Sequence, residues 1–160
     1  AAPTAGGKPE AVGAGRALGG GRGGRATWVA LAAGTGGSLA GLAAGLAPGQ
    51  RALGVPVLKG GFLTADIESL QQAAFGGRRG DWWLDDRFHF GGYARVPDTL
   101  DAFAEDFEGR HGVPVERLYV AKLLYGLVAL TEEGAFAPGT TVVAVVTGRP
   151  FPQAPSAVSR

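Results

Sequence analysis

The residues whose types and spacing could form a functional site are the glycines and hydroxyl residues of segment 33–42, which reads AGTGGSLAGL. Glycines allow a tight turn that brings backbone N–H groups close to a ligand. A helix that begins after such a turn adds partial positive charge at its N-terminus, and Thr35 and Ser38 add hydroxyl donors. Gly34–Ser38 therefore indicates an anion site that favours phosphate. The alternative is a tight strand-to-helix turn with Ser38 as the N-cap, and the local sequence leaves both open.

Two well-known phosphate motifs do not fit this loop. No Gly-Lys-Ser/Thr follows the glycines, so the segment is not a Walker loop. Counted from Gly34, the last glycine position of the dinucleotide fingerprint is occupied by Leu39.

Other reactive side chains favour structural roles. A metal site needs several convergent donors, and the chain has two histidines, His89 and His111, and no cysteine, so we expect no metal. Asp85 and Asp86 are adjacent on a segment expected to be extended, so their side chains would point to opposite faces. The formal net charge of +1 gives no reason to expect a nucleic-acid or membrane partner.

The elements around the loop alternate between strand-like and helix-like patterns. Short apolar runs bounded by glycine or proline predict buried strands near 27–33, 51–57 and 141–147. Three- and four-residue spacing predicts helices over 38–47, 62–75, 97–112 and 121–136. This alternation predicts an α/β fold with an open, mainly parallel sheet and helices on both faces.

Composition divides the chain into three parts. Residues 1–26 are rich in Gly, Ala and Arg, so we expect them to be mostly disordered. Residues 27–149 carry the patterned domain, and 150–160 form a proline-containing tail that we expect to be flexible. No signal peptide or membrane span is visible, which favours a soluble cytoplasmic protein. The start at Ala1 and the absence of Met suggest an incomplete or processed reading frame.

Longer motifs carry a family resemblance. The segments GTGGSLAGL, GVPVLKGGFL, FHFGGYARVP, LYVAKLLYGL and VVAVVTG occur in this order within residues 28–149. Together they resemble the back half of the 1-aminocyclopropane-1-carboxylate (ACC) deaminase / D-cysteine desulfhydrase family. The resemblance implies pyridoxal phosphate as cofactor, part of a tryptophan-synthase-β-like cofactor domain, a small amino-acid substrate and a homodimer.

The resemblance also implies roles for individual residues. The residues matching the cofactor-phosphate loop are Gly34, Thr35, Gly36, Gly37 and Ser38. Tyr93 and Tyr119 match two active-site tyrosines; otherwise each would be an amphipathic wall residue. Thr147 and Gly148 match the loop near the pyridine ring.

Three departures from the family pattern bear on activity. The Schiff-base lysine of the family lies in a front-half motif, and Lys8, Lys59 and Lys122 do not match it. Val120 occupies the cofactor position next to the pyridine nitrogen, where the deaminases have Glu and the desulfhydrases Thr. Arg149 replaces a family glycine.

The chain is therefore interpreted as a fragment of a pyridoxal-phosphate-dependent lyase resembling D-cysteine desulfhydrase, which releases sulfide, pyruvate and ammonia. An ACC deaminase and a non-catalytic phosphate- or cofactor-binding remnant are the alternatives.

Overall fold

The sheet is assembled from strands in the order β1-β4-β3-β2-β5. A computed structural model describes residues 27–147 and the backbone of Glu10–Ala11. The strands are β1 (Glu10–Ala11), β2 (Thr27–Ala33), β3 (Arg51–Pro56), β4 (Asp81–Leu84) and β5 (Thr141–Val145). The helices are α1 (Gly37–Ala44), α2 (Leu63–Phe75), α3 (Asp98–His111) and α4 (Val120–Glu132), and one 3-10 turn covers Asp86–Phe88.

Four of these strands are parallel, as the sequence predicts. β2 pairs with β3 from Trp28 opposite Arg51 to Ala33 opposite Pro56. On its other side β2 pairs with β5, and β3 pairs with β4, both in parallel. The short β1 runs antiparallel to β4 at one edge. The expected α/β fold is thus confirmed.

Alternating side chains bury both faces of the sheet. On one face, Leu31 and Ala33 of β2 join Ala52 of β3 in a cluster with Leu39 of α1 and Ile67 of α2. On the other face, the intervening residues of the same strands pack against α4. The members of that second cluster include Trp28, Ala30, Leu53, Val55, Leu123 and Leu130. Helix α3 packs outside α4 and completes a third apolar cluster.

The connections place a crevice at one end of β2. The chain leaves β2 through α1 on one face and reaches β3, whereas β5 is reached through α4 on the opposite face. The neighbours of β2 are therefore connected around opposite faces, which opens a gap at the carboxyl ends of β2 and β5. Ligands in open parallel sheets bind at such points.

Strand β4 is the element that the sequence patterns do not predict. Asp81 begins this strand, and Trp82 is buried. Both tryptophans of this strand have packing roles. Cζ of Arg78 lies 4.0 Å from the centroid of the Trp82 ring, and the rings of Trp83 and Trp28 pack edge to face with centroids 6.3 Å apart.

A buried glutamine joins β4 to the helices on its face. The Gln71 amide nitrogen donates to the carbonyls of Ala40 and Arg79 at 3.0 and 2.9 Å. Its oxygen accepts from the Arg79 amide at 3.0 Å and from Trp82 Nε1 at 3.3 Å. One fully buried side chain thereby satisfies partners on α1, on β4 and in the loop between α2 and β4.

Candidate functional site

A cavity of about 510 Å³ lies at the carboxyl ends of β2 and β5. Its walls come from the ends of both strands, from the loop and first turn of α1, and from two tyrosines. The lining residues are Ala32, Ala33, Gly34, Thr35, Gly36, Ser38, Leu39, Leu58, Tyr93, Tyr119 and Thr147. The sequence motifs separated by up to about a hundred residues therefore meet in one place, as their proposed shared role requires.

The glycine loop is held against two sets of neighbours. Gly36 is buried with φ at 84°, and a Cβ there would lie 2.5 Å from Cγ1 of Ile67. A Cβ at Gly34 would lie 3.3 Å from Cε1 of Tyr119. Glycine at these positions lets the backbone run between α2 and the tyrosine ring, with the loop facing the cavity.

Helix α1 begins without a side-chain cap. Its first residue is Gly37 and its N-cap is Gly36, so the alternative in which Ser38 caps the helix is wrong. The reason is that Gly36, in the left-handed conformation, takes the N-cap position two residues before Ser38. No acidic side chain occupies the first turn, and Ser38 lines the cavity. The first N–H groups of this helix and the Ser38 hydroxyl are the donors available to an anion.

The N-terminus of α4 is arranged differently. The Glu116 carboxylate accepts from the amides of Tyr119 at 2.7 Å and Val120 at 3.2 Å, and from Leu118 at 2.5 Å. These bonds satisfy the free N–H groups and place a negative charge at the positive end of the helix. Glu116 therefore fixes the backbone of Tyr119 and occupies the anion position of α4.

The two candidate tyrosines face each other in the cavity. Their ring centroids are 6.1 Å apart with an interplanar angle of 67°. Burial raises the pKa of the Tyr119 phenol above its ordinary value, and the neighbouring Tyr93 and Glu116 act in the same direction. The Tyr119 phenol is therefore a protonated hydrogen-bond donor at neutral pH.

Tyr93 stands on a loop with unusual backbone angles. Phe90, Gly91, Gly92 and Ala94 all have positive φ, at 53°, 94°, 122° and 59°. For the non-glycine residues such conformations cost about 1–2 kcal/mol each. The Tyr93 side chain is 55% exposed, so packing around the ring contributes little to holding it in the cavity.

The third lysine of the chain lies beneath this loop. Lys122 on α4 is fully buried, and its Nζ donates to the Gly92 carbonyl at 2.8 Å. Burial lowers the pKa of Lys122, and the Glu116 charge opposes that effect. Lys59 is exposed and neither lysine lines the cavity. Lys8 lies outside the described residues.

The remaining candidate residues lie beside the cavity or beyond the described chain. Gly37 opens α1 but does not line the cavity, and Val120 points into the apolar cluster shared by α3 and α4. Gly148 lies outside the described residues, one position after the cavity residue Thr147. The individual roles that the resemblance implies stay predictions.

The other reactive side chains are engaged elsewhere. Asp85 is buried and pairs with Arg87 at 2.7 Å, His89 Nδ1 accepts from the Gly91 amide at 2.9 Å, and His111 packs on Phe107. Within the described part of the chain, no group of three or more His, Cys, Asp or Glu side chains is placed to hold a metal. None of the helices described is long and apolar enough to cross a bilayer.

Sequence patterns missed three contributors to this site. Leu58 lines the cavity, Glu116 caps α4, and Lys122 holds the Gly92 carbonyl. Leu58 lies one residue beyond the predicted strand 51–57, and Glu116 lies in no predicted element. Lys122 lies in the predicted helix 121–136, whose pattern gives no sign that its ammonium reaches the loop under Tyr93.

Comparison with known proteins identifies a structural relative. No family model and no curated protein matches the sequence. The chain is similar to an ACC deaminase homologue. The crystal structure of that protein matches 73% of this chain at 26% sequence identity with a TM-score of 0.61. This chain spans 38% of the length of that protein. The similarity supports the family resemblance drawn from the motifs and an α/β fold of the type used by pyridoxal-phosphate-dependent lyases.

Proposed function

We propose that the cavity binds pyridoxal phosphate through its phosphate, and that the chain is the cofactor-domain part of a lyase resembling D-cysteine desulfhydrase. The observation that carries the proposal is the uncapped start of α1, opened by the glycine loop, inside a cavity at the carboxyl ends of β2 and β5. Backbone N–H groups at such a helix start favour a phosphate dianion.

The cavity fits this group in size and in donors. Its volume of about 510 Å³ lies in the range of small-molecule sites. The loop amides and the hydroxyls of Thr35 and Ser38 would hold the phosphate, while Tyr93 and Tyr119 would border the ring and the substrate. When bound, the cofactor supplies an electron sink for the substrate's α-carbon.

The tyrosines supply hydroxyl donors in this proposal. The raised pKa of Tyr119 makes its phenol a weaker acid than a free tyrosine, so its hydroxyl would donate a hydrogen bond to the substrate or its leaving group rather than give up its proton. Tyr93 faces it across the cavity and would place a second hydroxyl beside the same group. Both side chains also reduce the access of water to the space between them.

D-cysteine is the proposed substrate of the complete enzyme. The motifs FHFGGYAR and KLLYGL resemble the desulfhydrases, and apolar Val120 cannot replace the Glu that the deaminases carry at this position. An ACC deaminase remains the second candidate because the structural relative is described as an ACC deaminase homologue.

Binding without turnover is the behaviour proposed for this chain alone. Among the described residues, no lysine lines the cavity, and the Lys122 ammonium is held by Gly92. We expect no release of sulfide from D-cysteine above that of free pyridoxal phosphate. Sulfide release that Lys122→Ala abolishes would overturn this expectation and make Lys122 a catalytic residue.

Calorimetry tests the phosphate site directly. The full chain should bind pyridoxal phosphate about 100-fold more tightly than pyridoxal, as expected for two or more hydrogen bonds to a charged group. Inorganic phosphate should compete. Ser38→Ala should weaken pyridoxal phosphate about tenfold and leave pyridoxal unchanged. The control is Gly41→Ala, on the exposed side of α1, which should bind both normally. Equal affinities for the two compounds would refute the proposal.

A further inference from the structure

The core of the domain contains a lysine where an apolar residue would be expected. Lys122 is the largest fully buried side chain of the described chain, and it forms no ion pair with any described residue. The nearest acidic influence is Glu116, whose carboxylate is already bonded to the first amides of α4. Burying an ammonium in this way is unfavourable, so an apolar side chain of similar length would serve the packing better.

The ammonium makes one contact that an apolar side chain could not make. Nζ donates to the carbonyl of Gly92 at 2.8 Å, thirty positions away in the chain. Gly92 is buried and directly precedes Tyr93. The residues at positions 91, 92 and 94, on both sides of Tyr93, have positive φ. The other bonds of this turn are short-range ones from the amides of Gly91, Gly92 and Arg95.

Helix α4 thus sets the positions of both tyrosines. Tyr119 precedes its first residue, and Lys122 lies in its first turn, so the same few residues place one ring directly and the other through the Gly92 carbonyl. The two rings meet at 6.1 Å as a result. We propose that Lys122 is a positioning residue that holds Tyr93 in the cavity through Gly92. The position of Tyr93 is argued without the proposed function, and only the role of Tyr93 toward a bound ligand rests on it.

A single-atom change in the side chain tests the inference. The chain has no cysteine, so Lys122→Cys introduces one thiol that can be alkylated in the unfolded state and refolded. Alkylation with bromoethylamine restores an ammonium in a side chain of nearly lysine length. Alkylation with bromopropane gives the matched control, in which a methyl group replaces the ammonium. The unmodified chain taken through the same unfolding and refolding controls for the procedure.

The readout is the environment of the tyrosines without any cofactor. Incorporation of 3-fluorotyrosine gives three ¹⁹F signals, assigned with Tyr→Phe variants. We expect the Tyr93 and Tyr119 signals of the aminoethyl form to match those of the original chain. In the propyl form the Tyr93 signal should move to the position of a solvent-exposed tyrosine. The Gly92 amide donates to the His89 carbonyl at 3.1 Å within the same turn, and it should also exchange with solvent about tenfold faster, because loss of the Lys122 bond to the Gly92 carbonyl loosens that turn.

The outcomes separate positioning from simple packing. A propyl form that unfolds at the same denaturant concentration as the aminoethyl form, with a displaced Tyr93, supports the inference. Identical Tyr93 signals and Gly92 exchange rates in the two forms overturn it. Weaker binding of pyridoxal phosphate by the propyl form would link the contact to the proposed function. Failure of every form to bind pyridoxal phosphate would refute only the proposed function, because the tyrosine signals need no cofactor.

A second measurement requires no variant. With ¹⁵N-labelled lysine, the ammonium protons of Lys122 should exchange with water at least tenfold more slowly than those of exposed Lys59, because they are buried and hydrogen-bonded. Equal exchange for the two lysines would refute the contact with Gly92, even where the altered chains fail to refold.

Discussion

Replacement of Gly36 by alanine is the most informative single change at the loop. Gly36 has φ at 84°, and a Cβ there would lie 2.5 Å from Ile67 Cγ1 and 3.1 Å from Leu63 Cδ1. The left-handed conformation costs a non-glycine residue about 1–2 kcal/mol. Forcing a methyl group against α2 adds about 1–3 kcal/mol. We therefore expect Gly36→Ala to lower the free energy of unfolding by about 2–5 kcal/mol, the sum of these two costs.

Urea unfolding followed by tryptophan fluorescence measures this loss. With a slope of about 2 kcal/mol per molar urea, the midpoint should fall by about 1–2.5 M. Gly41→Ala is the matched control, since it lies within the same helix and its Cβ would have no neighbour within 4 Å. We expect that control to be stabilised by about 0.5–1 kcal/mol. The reasoning fails if Gly36→Ala shifts the midpoint no more than Gly41→Ala does.

Three further changes test other parts of the molecule. Gln71→Leu removes the partner of buried groups on three segments and should cost at least about 3 kcal/mol in urea unfolding, whereas the exposed Gln72→Leu should be near neutral; equal effects would contradict the network. Tyr119→Phe should remove an ionisation above the ordinary tyrosine pKa of about 10 from an alkaline absorbance titration, and a lost step at or below that value would contradict the raised pKa. The pKa of Lys122 is lowered in the folded chain, so just below the ordinary lysine pKa the unfolded chain binds more protons than the folded chain, and the free energy of unfolding should rise with pH there. Lys122→Met should flatten this rise, because Glu116 and Tyr119 are present in both proteins and only the lysine differs. Equal slopes for the two proteins would contradict burial of the charge.

Most of the fold follows from short-range patterns in the sequence. The strands near 27–33 and 51–57 and all four helices appear within a few residues of their predicted bounds because apolar spacing directly reflects which face is buried. Strand β4 escaped prediction because DWWL has only four residues and no alternation. It is stabilised by pairing with β3 and by the Gln71 contact with Trp82, and neither has a local signal.

The sequence motifs named most of the residues that line the cavity, and the roles of these residues stay predictions. Gly34–Ser38 indicates an anion loop by composition, and Tyr93, Tyr119 and Thr147, which the family motifs singled out, line the same cavity. The start of α1 was not predictable, because it depends on the left-handed Gly36 packing on α2. The Lys122 contact with the loop under Tyr93 was equally hidden, since a sequence separation of thirty residues carries no periodic signal.

The position of β5 at the end of the sheet has a consequence for handling the protein. Among the described residues, β5 pairs only with β2, so the outer hydrogen-bonding groups of Thr141–Val145 have no strand partner. The segment TTVVAVVT is rich in β-branched residues and carries no charge, proline or glycine. Such an edge is a template for pairing with another chain. Concentrated solutions of this chain should therefore lose material to β-rich aggregates that grow from this edge, at a rate that rises with protein concentration.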